Sequence, residues 1–277
     1  MNSSADWPRP DLSGQVAVIT GGGRGIGRAC ALTLAAAGAA VAIIARTTSQ
    51  LEETALTARA MGGTAVPFPA DVRNPDMLRG IMDAIRRQLG PIDLLVNNAG
   101  VASPFGPLAE ADAEQWWRCL EVNLRGPMLC SRLVLPEMIA RQRGRIINVA
   151  SGAGTVAIPN MSAYVVSKAA VIRLSECLAA ECRASGVHVF AFQPGTVRTA
   201  MAEEALASEA GRRWLPWFRE YFEQGRDVSP EVAARLVLFL ASGRADALSG
   251  RFLDACADYV HMAEEADRAQ KQSEPRP

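Results

Sequence analysis

Apolar positions along the chain fall into short runs separated by stretches of helical periodicity. "QVAVIT" (15–20), "AVAIIA" (40–45), "TAVPFPA" (64–70), "IDLLVN" (92–97), "RIINVA" (145–150) and "VHVFAFQ" (187–193) read as strands, with helices expected near 25–37, 48–61, 75–89, 111–142 and 163–185. Strands that are apolar on both faces, each followed by a helix, predict a parallel sheet covered on both sides and built from right-handed βαβ units. The expected architecture is α/β, a doubly wound three-layer αβα sandwich with a parallel sheet of about seven strands. The uncharged stretch "ACALTLAAAGAAVAIIA" (29–45) has a borderline length for a membrane span. Gly38 divides it into a helix-like half and a β-branched half, Val41 to Ile44, so it reads instead as helix, turn and buried strand.

A chain of 277 residues, 49% apolar and 21% charged, suits one large soluble domain with a full core. No low-complexity linker interrupts it, and residues 1–262 are expected to form a single dinucleotide-binding domain. The charged remainder, 263–277, is expected to be a solvated helix end followed by a flexible tail. The formal net charge of zero gives no electrostatic case for nucleic acid or an anionic membrane as partner. Six cysteines without a C-x-x-C pair, and only His188 and His261, argue against a zinc site or a disulfide framework. The opening "MNSSADWPRPDLSG" lacks the basic and apolar regions of a signal peptide, so a cytoplasmic protein is expected.

The junction of the first strand and first helix reads "VAVITGGGRGIGRA". Gly21, Gly25 and Gly27 stand at G-x-x-x-G-x-G, with Gly23, Arg24 and Ile26 between them, a spacing unlike the common G-x-G-x-x-G. The physics is shared: glycines allow a tight turn and close backbone approach, and a helix N-terminus receives a pyrophosphate. NAD sites usually carry an acid at the end of the second strand. Here Ala45 is followed by Arg46 and Thr47, with no acid until Glu52. Arg24 and Arg46 suit a 2′-phosphate, because a guanidinium fork matches phosphate geometry. The expected cofactor is NADP(H), the plainer alternative being that Arg46 is merely a solvated residue after a strand.

"SAYVVSKAA" (162–170) places Tyr164 and Lys168 one turn apart on one helix face. An ammonium beside a phenol would lower its pKa and make a general acid/base. By itself the pair fits an amphipathic helix equally well. Its company is more informative: "TGGGRGIG" (20–27), "DV" (71–72), "NNAG" (97–100), Asn123 in "EVNLRG", "ASGAG" (150–154), "YVVSK" (164–168) and "PGTVRT" (194–199) occur in one order. Over roughly residues 12–254 the sequence resembles the classical short-chain dehydrogenases/reductases, which implies a Rossmann-type fold. The resemblance implies that Tyr164 is the general acid in carbonyl reduction and the base in alcohol oxidation. It further implies that Lys168 lowers the tyrosine pKa and bonds the nicotinamide ribose, that Ser151 holds the carbonyl, and that Asn123 anchors a water relaying protons to Lys168. By the same resemblance Asp71 and Val72 contact the adenine, and Asn98, Ala99 and Gly100 line the adenosine ribose. The resemblance also implies that Pro194, Gly195, Val197 and Thr199 position the nicotinamide. Hydride chemistry of this kind needs a proton donor and a hydrogen-bonding hydroxyl but no metal.

Beyond Thr199 the segment to about residue 226 corresponds to the family's substrate lid. Trp214, Trp217, Phe218, Tyr221 and Phe222 recur there at the spacing of one helix face. That face either packs on the sheet or a neighbouring subunit, or roofs an apolar substrate. A bulky hydrophobic ketone, or its alcohol, is the expected small-molecule partner. No clustering of Lys or Arg near the lid is expected, which leaves the rival 3-oxoacyl thioester reductase without a basic rim. A non-catalytic NADP-binding sensor is the remaining alternative. Of Trp116 and Trp117, one resembles the family's core tryptophan and the other is expected at an interface. The resemblance implies a homodimer or homotetramer, since the helices near 111–142 and 163–185 are those by which relatives pair. "SGRFLDACADYVHM" departs from the family's Asp-Gly-Gly closing segment, which places the tetramer in doubt.

Overall fold

The computed structural model of the chain describes residues 7–273. Residues 1–6, on which the absence of a signal peptide was partly read, and 274–277, the end of the expected tail, lie outside the described residues.

Seven parallel strands form one sheet: β1 (Val16–Thr20), β2 (Ala40–Ala45), β3 (Thr64–Pro69), β4 (Ile92–Asn97), β5 (Gly144–Val149), β6 (Val187–Gln193) and β7 (Phe252–Asp254). Their order is β3-β2-β1-β4-β5-β6-β7, so the winding reverses between β1 and β4. The helices are α1 (Gly25–Ala36), α2 (Thr48–Ala60), α3 (Pro75–Leu89), α4 (Ala113–Leu120), α5 (Gly126–Ala140) and α6 (Ser162–Glu181), followed by α7 (Ala200–Ala207), α8 (Glu209–Trp214), α9 (Pro216–Glu223), α10 (Pro230–Ala241) and α11 (Tyr259–Ser273). This is the expected Rossmann-type αβα sandwich.

Period-two alternation builds two cores from the same strands. Along β1, Ala17 and Ile19 face a core completed by Leu34 of α1 and Leu236 and Phe239 of α10. Val16 and Val18 face the opposite core, with Met82 of α3 and Val134 of α5. All the strand-facing side chains just named are almost fully buried. That explains why the central strands read as unbroken apolar runs rather than as alternating ones.

Three elements differ from the sequence expectation. The single helix foreseen at 111–142 is divided by a π-helical turn, Glu121–Arg125, between α4 and α5. Pro127 stands in the first turn of α5, where its missing N–H is tolerated. The strand β7 has only three residues, too few for periodicity to reveal. Helix α11 runs through the expected boundary at 262/263, and Ala263 is buried in the core. Among the described residues, no helix is long and apolar enough to cross a membrane.

Candidate active site

A cleft of about 870 Å³ opens at the carboxyl ends of the strands, spanning the reversal between β1 and β4. Crevices at such switch points are where doubly wound sheets bind ligands. Gly21, Gly23, Arg24, Gly25 and Ile26 reach it from the loop after β1, Arg46 and Thr47 from β2, and Asp71 and Val72 from β3. Asn98, Ala99 and Gly100 follow from β4, Ser151 from β5, Tyr164 and Lys168 from α6, and Pro194, Gly195, Val197 and Thr199 from β6. Gly27 and Asn123 belong to the same constellation but stand behind the wall.

The glycine loop is shaped by what it cannot accommodate. Gly21 has φ +70°, and a Cβ there would lie 2.7 Å from Asn98 Nδ2. A Cβ on Gly27 would come within 2.2 Å of the Gly21 carbonyl oxygen, so this glycine serves the packing of helix on loop. Asn98 fastens the turn by donating from Nδ2 to the Thr20 and Gly21 carbonyls at 3.0 and 3.3 Å. Arg24 forms no side-chain cap on α1, leaving the first-turn amides free of that competitor. Uncapped helix amides, a close-approach loop and two exposed guanidiniums fit the phosphates of a dinucleotide. The Asp71 carboxylate at this end is gripped by Arg73 through Nε and Nη2 at 3.1 and 2.7 Å. The Arg73 hydrogen bonds pull Asp71 below the usual carboxylate range, partly opposed by burial and aided by Arg46.

Tyr164, half-buried, and Lys168, only 5% exposed, project from successive turns of α6. Lys168 Nζ donates to the Val149 carbonyl at 2.8 Å and lies 5.7 Å from the centre of the tyrosine ring. Burial lowers the Lys168 pKa to about 8. The expectation that this ammonium lowers the Tyr164 pKa is not met. Burial raises it, and only the hydrogen bond with Ser151 pulls it back. The sequence reading weighed the neighbouring charge and missed the larger desolvation effect. Ser151 also accepts from the Ala153 amide at 3.2 Å, which fixes its hydroxyl at the start of the loop after β5.

Asn123 lies in the π-helical turn, where its side chain is fully engaged. Oδ1 accepts from the Val101 amide at 2.9 Å, while Nδ2 donates to the Val101 carbonyl at 2.8 Å and to Ser167 Oγ at 2.9 Å. Ser167 in turn donates to the Tyr164 carbonyl at 2.7 Å. Asn123 thus ties the loop after β4 to the helix that carries Tyr164.

The aromatic stripe of the lid is not one helix face. Pro216 starts α9 after Leu215 leaves helical geometry, so Trp214 belongs to α8 and the other four to α9. Trp217, Phe218 and Tyr221 line the cleft, whereas Phe222 is buried with Arg198 stacked 4.8 Å above its ring. Sequence reasoning missed the apolar loop residues Phe105, Val156, Ile158 and Met161, which lie outside any periodic element. It also missed Asp254 and Cys256, although the departure at the closing segment marked the place. A Cβ on Gly195 would lie 3.1 Å from Cys256 Sγ. Of the two adjacent tryptophans, Trp116 donates to Ser162 Oγ at 3.0 Å and Trp117 is 60% exposed.

The family model for short chain dehydrogenases matches residues 15–210. Galactitol 2-dehydrogenase of Rhizobium johnstonii is 38% identical over 256 residues, covering 90% of this chain and 96% of that protein. The cis-4-hydroxycyclohexanecarboxylate dehydrogenase of Sinomonas cyclohexanicum is 35% identical over 250 residues, covering 89% and 96%. The crystal structure of a metagenomic short-chain oxidoreductase in complex with NADP matches with a TM-score of 0.70 at 34% identity, covering 84% of this chain and 92% of that one. The chain belongs to the short-chain dehydrogenase/reductase family. It is an oxidoreductase of the kind that acts on alcohols and ketones.

Proposed function

We propose that the chain is an NADP(H)-dependent enzyme that reduces a bulky apolar ketone, or oxidises the matching secondary alcohol. The observation that carries this reading is the convergence of Ser151, Tyr164 and Lys168 in one cleft with the glycine loop and an apolar lid. When bound, the nicotinamide supplies the hydride in reduction and accepts it in oxidation. Tyr164 donates its phenolic proton to the oxygen that becomes the alcohol, and takes it back in the reverse direction. Ser151 holds that oxygen with its hydroxyl, offsetting the charge that develops there. Lys168 anchors the ribose side of the site, and Asn123 positions α6 through Ser167. Arg24 and Arg46 receive the 2′-phosphate.

The substrates named for the relatives range from a polyol to a ring carboxylate, so the substrate class is argued from the wall of this cleft. Leu215, Trp217 and Phe218 from the lid line the cleft together with Phe105, Val156 and Ile158, an apolar wall suited to an apolar ring or chain. The intact Ser151, Tyr164 and Lys168 weigh against a non-catalytic sensor. We further propose a cytoplasmic homodimer or homotetramer. The test is oxidation of NADPH and NADH against bulky ketones, quinones and a short 3-oxoacyl thioester, followed through the nicotinamide absorbance. Turnover of bulky ketones with NADPH is expected. Tight NADPH binding without turnover of any compound would favour the sensor.

A further inference from the structure

The charged side chains that line the cleft are unevenly placed. Arg24, Arg46 and Asp71 lie at the ends of β1, β2 and β3, in the half assigned to the nucleotide. Lys168 is buried and hydrogen-bonded to Val149. Among the described residues, the remaining half, built by the loops after β4, β5 and β6 and the segment after β7, contributes one charged group, the Asp254 carboxylate. Its Oδ1 accepts from the Cys256 amide at 2.8 Å.

The lid, contrary to the sequence expectation, does hold a run of arginines, but none of them lines the cleft. Arg198 is paired with Glu203 at 2.8 Å and stacked on Phe222. Arg212 donates to the Ala207 carbonyl, and Arg219 donates to that of Leu206 at 3.0 Å. Arg213 covers the Trp214 ring, and Arg226 the Tyr221 ring, each at 4.5 Å. These guanidiniums brace the lid from its own carbonyls and aromatic faces. An anionic group entering the substrate half would therefore lose its water without gaining a cation from the described protein side chains, and it would meet Asp254.

Resting on the catalytic reading above, we infer that the substrate half selects against negative charge. Its substrate is an uncharged ketone or secondary alcohol, and compounds bearing a carboxylate or a phosphate, including carrier-bound thioesters, are rejected.

The test compares 4-(4-oxocyclohexyl)benzoate with its primary amide, two ketones of one shape that differ in charge. Binding to the protein loaded with tetrahydro-NADP, a redox-inert analogue whose nicotinamide ring is uncharged, is read from tryptophan fluorescence. The amide is expected to bind at least ~30-fold more tightly than the carboxylate. Equal binding, tighter binding of the carboxylate, or failure of the amide to bind overturns the proposal. Because this readout requires no turnover, it stands apart from the catalytic reading, which fails separately if the bound amide is not reduced by NADPH. Val156→Arg places a guanidinium on the exposed part of the cleft wall, leaves Trp217 in place as the reporter, and is expected to narrow the preference for the amide about tenfold. An unchanged ratio in that variant would mean that charge is not the property being read, and would likewise overturn the inference.

Discussion

Tyr164 and Lys168 move in opposite directions for one reason: burial disfavours whichever form carries charge. The phenol therefore stays protonated well into the alkaline range. Ketone reduction draws on that protonated form and should vary little between about pH 6 and about pH 7, below the titration of Lys168 near 8, whereas alcohol oxidation needs the phenolate and should climb roughly tenfold per pH unit over that range. Tyr164→Phe should lower kcat about a hundred- to ten-thousand-fold with NADPH binding nearly unchanged, as initial rates and fluorescence titration would report. Lys168 gives a second, opposite-looking prediction. Its pKa falls from 10.5 to about 8, so its charged form is held at a cost of about 3 kcal/mol at neutral pH. The sign follows from the depressed folded value: the cost is full below about 8 and fades as pH rises toward 10.5. Lys168→Met should stabilise the fold by roughly 1–2 kcal/mol in urea unfolding at neutral pH, since the orphaned Val149 carbonyl offsets part of the gain. The same variant should lose activity, and its stability advantage should shrink near pH 10. The i, i+4 spacing made this pair legible in sequence, because helix geometry alone puts both on one face. The balance of charge and burial around it was not legible, since burial depends on strands far away in the chain.

At the scale of elements, the strand-to-helix junctions carry most of the cleft. Two of them present a cation where an acid would suit NAD: Arg24 at the start of α1 and Arg46 before α2. Asp71, the carboxylate at that end, is occupied by Arg73. Arg24→Ala combined with Arg46→Asp should lower the NADPH-to-NADH ratio of kcat/KM by about a hundredfold or more, mainly through KM for NADPH. An unaltered ratio would remove the phosphate-binding role from both arginines. The glycine loop was legible because its constraint is local: a Cβ on Gly21 or Gly27 collides with atoms of the loop itself or of the adjoining β4 terminus. The lid was misread because aromatic spacing continued straight across Pro216, and the proline outweighed the periodicity. Loop residues such as Phe105 and Val156 escaped notice for a different reason: apolar side chains outside a periodic element carry no local mark of what they face.

At the scale of the molecule, the reversal of winding between β1 and β4 decides where seven separate junctions meet, and apolar strands alternating with helices were enough to foresee that sheet. The surface was foreseen only in outline. Trp117 on α4, Met128 on α5 and Val166 on α6 are 60%, 37% and 45% exposed. Large apolar side chains spread over three successive helices of one chain are what a face buried between subunits leaves open in a single copy. Light scattering coupled to gel filtration should therefore give about two or four times the 29.5 kDa of one chain. Trp117→Arg combined with Val166→Asp should shift that mass toward one chain without unfolding it, because both side chains are solvent-facing in the isolated protomer. A wild-type mass of a single chain would assign these side chains to ordinary surface. A multimer unmoved by the double variant would place the interface on another part of the fold.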